Sequence, residues 1–380
     1  MKLLRIEDNE EHAMFRRTIK AFLAGLRELE PEWEETGIVP RSVWLKAGEL
    51  GMLGPTVPEE YGGLGLDRRF AAIAIEEQAR ALLSGPGFCG HSNMTTPYIT
   101  RYGTHEQKAK WLPGTVTGEV VTALAMTEPD AGSDLKAIRT TAIRDGDDYV
   151  INGSKIFITN GISADLFIVA CKTDPTARAK GISLMLVEAD RPGFEKARNL
   201  KKLGRKTQDT AELFFENVRI PAANLLGEDG KGFAHMMTEL AWERLQAGIE
   251  ALGACEGMMD QTIEYTKNRR AFGKSISEFQ NTRFKLAELA TQIQFLRVMV
   301  DRCLDLACED KLDGTTAAMI KYSSSELQGR VADECLQLHG GNGYMWEYPI
   351  CRAYADARIQ RIWAGTSEIM KEIIARDLFE

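Results

Sequence analysis

Apolar residues recur with the 3.6-residue period in the first third of the chain, at Phe15, Ile19, Phe22, Leu23 and Leu26 and again over 70–83. That spacing lines one face of a helix, so helices are predicted in both stretches. Pro55, Pro58, Gly62, Gly63 and Gly65 interrupt the pattern and mark a loop between helices. From about residue 120 the pattern changes to short β-branched and aromatic runs at 149–151, 155–159, 166–169 and 182–187, which predict strands. Asp145-Gly146-Asp147 reads as a hairpin turn, and Asn152-Gly153 and Asn160-Gly161 as further turns. After Pro221 the helical period returns over 232–268, 278–312, 315–338 and 350–378, which predicts a bundle of four long helices. The chain is therefore read as α+β and multidomain. An N-terminal α-helical domain covers 1–119, a middle β-domain 120–225 and a C-terminal four-helix bundle 226–380.

With 380 residues, 44% of them hydrophobic, there is ample material for a large core. A formal net charge of -8 argues against a nucleic acid or a membrane surface as partner, since both favour a clustered basic face. The seven cysteines are scattered without a C-x-x-C pair, so neither a metal site nor a disulfide framework is expected. Met1-Lys2-Leu3-Leu4-Arg5 is followed at once by Glu7, Asp8, Glu10 and Glu11, which is unlike a signal peptide. No apolar run is long enough to span a membrane, and a cytoplasmic location is expected.

Two segments offer chemistry. The run 126–134, Met-Thr-Glu-Pro-Asp-Ala-Gly-Ser-Asp, follows a strand and presents backbone N–H groups and hydroxyls that suit a phosphate or an electron-rich ring. A plain turn is the simpler reading of that run alone. In 155–161, Phe157 and Thr159 stand two apart and are placed on one face of a strand, where a core-facing Phe157 is the simpler reading.

Together these segments resemble the acyl-CoA dehydrogenases, and three further matches follow in order. They are Arg269-Arg270-Ala271-Phe272-Gly273 with Gln280, then the run 337–344 from Gln337 through Gly340 and Gly341 to Tyr344, then Ala364-Gly365-Thr366-Ser367-Glu368-Ile369. The likeness covers nearly the whole chain. It implies a helical domain, a middle β-barrel and a four-helix bundle, with FAD as cofactor and acyl-CoA as substrate. By the same resemblance Leu124, Met126, Thr127, Gly132, Ser133, Phe157, Ile158 and Thr159 hold the flavin, with Thr366 and Glu368 nearby. Arg269, Phe272, Gln280, Gln337, Gly340 and Gly341 resemble residues that hold the rest of the cofactor across a subunit interface. A homo-oligomer, most often a tetramer, and an electron-transferring flavoprotein as acceptor are implied too. Ser133, Arg244, Trp363, Ala364 and Gly365 are expected to meet substrate. Arg244 read alone is equally a surface ion-pair residue.

One position departs from the commonest pattern. Many members carry the catalytic glutamate immediately before Gly-Thr in the last motif, and here that position is Ala364. A methyl group takes no proton. The isovaleryl- and long-chain-type branch carries its base in a Glu-Arg-Leu segment instead, which resembles Glu243-Arg244-Leu245. Met236, Leu240, Ala247, Ala251, Ala254 and Met258 make the helical face around Glu243 apolar, and Glu239 and Glu250 are read as lying off that stripe. Burial there raises a carboxyl pKa towards neutrality, so Glu243 is the expected base. The competing readings are a structural ion pair at Glu243, a non-catalytic acyl-CoA- or flavin-binding homologue, and a flavin oxidase or monooxygenase on the same fold.

Overall fold

The computed structural model describes residues 3–380, and Met1 and Lys2 of the amino-terminal segment lie outside the described residues. Six α-helices make the first part: α1 (Glu10–Leu26), α2 (Glu30–Thr36), α3 (Arg41–Glu49), α4 (Arg68–Arg80), α5 (Thr96–Tyr102) and α6 (His105–Thr117). The predicted face of α1 is the one it buries, with Phe15, Ile19, Leu23 and Leu26 inside and Asn9 capping its start. Asp67 caps α4 in the same way, and the Pro55–Gly65 stretch is the loop before it.

Eight strands follow: β1 (Thr122–Ala125), β2 (Thr141–Asp145), β3 (Asp148–Thr159), β4 (Leu166–Lys172), β5 (Ile182–Glu188), β6 (Phe194–Asn199), β7 (Thr210–Pro221) and β8 (Leu225–Leu226). Their hydrogen-bonded path runs β6-β7-β3-β2-β4-β5-β8, with β1 parallel to β4. The hairpin predicted at 145–147 joins β2 to β3, pairing Asp145 with Asp148 around Gly146 at φ +63°. Asn160-Gly161 is also a turn. Asn152-Gly153 is not. It lies inside β3 at a β-bulge, where any Cβ on Gly153 would come within 2.5 Å of the Thr140 hydroxyl. The runs 149–151 and 155–159 are thus one strand.

The remaining helices are α7 (Gly232–Asn268), α8 (Gln280–Cys308), α9 (Gly314–His339), α10 (Pro349–Ala357) and α11 (Ser367–Phe379), with a short hairpin of β9 (Arg270–Ala271) and β10 (Lys274–Ser275) after α7. The stretch expected as one helix over 350–378 is therefore broken. A 3-10 turn at Arg358–Arg361 follows α10, and Ala364 and Gly365 both take positive φ, which no helix continues through. The middle of α7 is buried on all sides from Trp242 to Ile249, because α4 packs on one flank and α9 on another. Arg297 on α8, 1% exposed, reaches Glu76 on α4 at 3.0 Å and Glu256 on α7 at 2.5 Å, so the two helical parts share a buried ionic joint.

Candidate active site

Glu243 sits in the fully buried part of α7 and is 3% exposed. Its Oε1 accepts a hydrogen bond from the Tyr98 hydroxyl on α5 at 3.1 Å. Burial pushes the carboxyl up to about 7, and the neighbouring Glu239 charge adds to this; the Tyr98 hydrogen bond and the Arg244 charge pull the other way. The apolar-stripe reading does not by itself single out Glu243. Glu239 is equally buried, at 4%, and Glu250 lies seven residues on, within about 20° of the Glu243 face at 100° per residue. Partners separate the three acids. Glu239 is ion-paired to Arg101 at 3.0 Å and accepts from Tyr102 at 2.8 Å, and Glu250 is ion-paired to Arg205. The partner of Glu243 is a neutral hydroxyl.

Arg244 is not the surface residue of the simpler reading. It is 8% exposed, its Nε is buried without a partner, and burial lowers its pKa. Its charge helps depress Lys321 on α9, which burial brings down to about 8. The Lys321 ammonium in turn donates to the Gly365 carbonyl. Lys321 thus ties the 364–365 turn to α9, close enough to Arg244 on α7 to feel its charge. Ala364 has φ +51° and Gly365 φ +93°, and a Cβ on Gly365 would meet the Met370 methyl at 2.6 Å. Among the described residues the Ala364 N–H donates to no acceptor. Thr366 caps α11, and Glu368 is exposed in its first turn. Trp363 donates to Gln360 at 2.9 Å and stacks on the Arg205 guanidinium at 4.3 Å.

Leu124, Met126 and Thr127 are half-buried where β1 runs out into a loop, and the Thr127 carbonyl accepts from the Ile156 N–H at 2.9 Å. Glu128 and Lys155 fix that junction. Lys155, wholly buried, donates to Glu128 at 2.8 Å and to the Met126 carbonyl at 3.0 Å, while Glu128 also accepts the Arg139 and Thr140 N–H groups. Beyond the Glu128–Ala131 turn, Gly132 and Ser133 are exposed, with open space around Gly132. Phe157 corrects the strand-face reading: a bulge gives it φ +62° and leaves it 65% exposed, while Ile158 is buried and Thr159 half-buried. An open aromatic beside a half-buried hydroxyl and a loop with free backbone donors fits a flat, polar-edged ring.

A second group lies at the far end of α7. Arg269, Phe272, Gln280, Gln337, Gly340 and Gly341 are all exposed, Phe272 to 94%. Tyr265 draws the two segments together, since its ring stacks on His339 at 4.2 Å and its hydroxyl donates to the His339 carbonyl at 3.1 Å. A Cβ on Gly340 or Gly341 meets open space, which leaves the backbone approachable. Arg269 is 26 residues from Glu243 on one helix, about 39 Å.

Sequence reasoning missed Tyr98, Lys155 and Lys321. Lys155 sat inside a segment already singled out; Tyr98 and Lys321 carry no local signal, because folding alone brings them to the site.

Three family models match in order: the acyl-CoA dehydrogenase N-terminal domain over 9–119, the middle domain over 123–218 and the C-terminal domain over 230–379. The chain is 52% identical to the long-chain specific acyl-CoA dehydrogenase of Mus musculus, covering 97% of this chain and 87% of that protein. It is 41% identical to an isovaleryl-CoA dehydrogenase of Solanum tuberosum over 91% of this chain and 85% of the relative. An acyl-CoA dehydrogenase structure from Geobacillus kaustophilus superposes with a TM-score of 0.95 at 51% identity, covering 99% and 100% of the two chains. One from Bacillus anthracis, complexed with FAD, superposes at 0.91 and 34% identity, covering 99% of this chain and 69% of that one.

Proposed function

This chain belongs to the acyl-CoA dehydrogenase family, and on that premise we propose that Glu243 removes the α-proton of the acyl-CoA thioester it oxidises. The enzyme is a FAD-dependent oxidoreductase that converts an acyl-CoA to its trans-2-enoyl-CoA. The observation that carries the proposal is the buried Glu243 carboxyl, raised to about 7 and held by a neutral Tyr98, in a chain whose last motif has Ala364 in place of glutamate. A base with that affinity takes a proton from a weak carbon acid yet stays ionised at neutral pH in a large fraction of molecules.

The α-hydrogen beside a thioester is too weak an acid for a base alone, so developing negative charge on the carbonyl oxygen needs a donor. The Ala364 N–H, which donates to no acceptor among the described residues, is suited to that oxygen, and the Lys321 contact to Gly365 holds the turn that presents it. Leu124, Met126, Thr127, Gly132, Ser133, Phe157, Ile158 and Thr159 would form the seat of the flavin, with Thr366 and Glu368 beside it, and bound FAD would supply the two-electron oxidant for the β-carbon. Arg244 and Ser133 orient the thioester, and Trp363 walls the acyl pocket.

The separation of the Arg269 group from Glu243 along α7 supports a homo-oligomer, a tetramer, in which each copy completes its neighbour's cofactor site. An electron-transferring flavoprotein is the acceptor this reading assigns, and the cytoplasm is the compartment. No helix of the described residues is long and apolar enough to cross a membrane. The test is to add saturated acyl-CoA to the FAD-loaded protein without oxygen. Bleaching of the flavin band is expected; an unchanged band with FAD still bound contradicts the dehydrogenase reading.

A further inference from the structure

Three buried polar atoms lack a partner among the described residues: Arg205 Nε and Gln360 Nε2, whose side chains both touch Trp363, and Gln328 Oε1. Buried polar groups are nearly always hydrogen-bonded, so three together need a cause. Two of them line one cavity of about 30 Å³, lined also by Leu83, Ser84, Glu250 and Asp356. Gln328 is 4% exposed, and Arg205 lies against the Trp363 ring, whose other neighbours are Gln360 and the Ala364 turn. Glu250 is on the Glu243 face of α7 two turns further on, about 10.5 Å away at 1.5 Å per residue. Arg205 and Glu250 thus set the cavity beside Trp363 and on the α7 face that carries Glu243.

We propose that this cavity closes the acyl pocket and recognises a hydroxyl at the end of a medium-length acyl chain. The inference rests on the dehydrogenase reading above and names its substrate class. Three features select a hydroxyl. The first is size: about 30 Å³ admits a small polar end group and no bulky head. The second is charge. Arg205 is already ion-paired to Glu250, and its backbone N–H donates to Asp356, so the cluster offers no surplus positive charge for an anion. The third is complementarity. Gln328 Oε1 is an unused acceptor and Arg205 Nε an unused donor, and a hydroxyl is both donor and acceptor. A plain methyl end leaves both atoms unpaired and displaces any water that serves them.

The test uses the FAD-loaded wild-type enzyme and two series of thioesters, saturated medium-chain acyl-CoAs and the same chains with a terminal hydroxyl. Anaerobic flavin reduction is followed for each. At the length that reaches the cavity, kcat/KM for the hydroxylated thioester is expected to exceed that of its plain counterpart by about tenfold, the ratio one well-made buried hydrogen bond supplies. Gln328→Leu, and Gln328→Met as a second variant of similar volume, bring the ratio down towards one. If plain chains bleach the flavin as well as or better than hydroxylated ones at every length, the inference is overturned while the dehydrogenase reading stands. A preference that survives in both Gln328 variants also overturns it. If no thioester of either series bleaches the flavin, the dehydrogenase reading itself fails, and the inference with it.

Discussion

The Tyr98 hydroxyl donates to Glu243 Oε1 across 3.1 Å, joining α5 to α7 at the carboxyl proposed as the base. One turn away Tyr102 and Glu239 repeat the arrangement at 2.8 Å, with Arg101 added. The two rungs act on Glu243 in opposite senses. Tyr98 stabilises its charged form, and the Glu239 charge disfavours it.

Removing the first rung therefore moves the pH profile upward. In Tyr98→Phe the rise of flavin-reduction rate with pH, centred near 7 in the parent, shifts to higher pH by roughly 0.5 to 1 unit, the equivalent of about 1 kcal/mol. Stopped-flow reduction across the pH range reads the shift. An unmoved midpoint means that the hydroxyl does not set the base.

Glu239→Gln shifts the same midpoint downward, because a like charge is removed while the Tyr98 contact remains. Arg244 on α7 stays in place in both variants and offsets neither change. Upward displacement in Glu239→Gln contradicts the account.

Stability follows from the same carboxyl. Its folded pKa of about 7 stands above the usual 4.5, so the folded state holds a proton that the unfolded chain gives up between those values. The contribution is fully present below about pH 4.5 and is lost as pH rises through about 7. Glu243→Gln keeps a neutral group throughout. It is expected to be more stable than the parent above pH 7, by on the order of 3 kcal/mol, with the gap closing towards pH 4.5. Thermal melts at several pH values check the sign.

The Glu128–Lys155 pair is a structural counterpart. Lys155→Met leaves Glu128 buried without its cation, and a loss of about 3 to 5 kcal/mol is expected. The 127–133 loop loses its anchor on β3, so FAD is released more readily as well. The double variant Lys155→Met with Glu128→Leu recovers part of the stability. Urea melts and flavin fluorescence follow the two effects separately.

Much of this was legible in the chain. The period change near residue 120 and its return after Pro221 announced the helix, sheet, helix order, and Ala364 redirected attention to Glu243. What was not legible depends on conformation. Phe157 and Gly153 sit at bulges that break two-residue alternation, and the break between α10 and α11 comes from the left-handed pair Ala364-Gly365. The apolar stripe on α7 failed to separate Glu243 from Glu239, because Glu239, though off that stripe, is buried as well by the packing of α5 residues Arg101 and Tyr102 against it. Their difference lies in Tyr98, Tyr102 and Arg101 on α5, well over a hundred residues away in sequence.

A glutamate at Ala364 offers a second test of the geometry. That residue already holds φ +51° without being glycine, so a longer side chain adds little backbone strain. Ala364→Glu in a Glu243→Gln background is expected to recover part of the lost flavin reduction. Its absence contradicts the placing of both positions against one substrate carbon.

The central claim is tested most directly by anaerobic stopped-flow reduction of Glu243→Gln by acyl-CoA. The account predicts a protein that folds, keeps FAD, binds acyl-CoA and reduces its flavin at least about a thousandfold more slowly than the parent, as loss of the one proton acceptor requires. Flavin bleaching at a near-parental rate contradicts the assignment of Glu243 as the base.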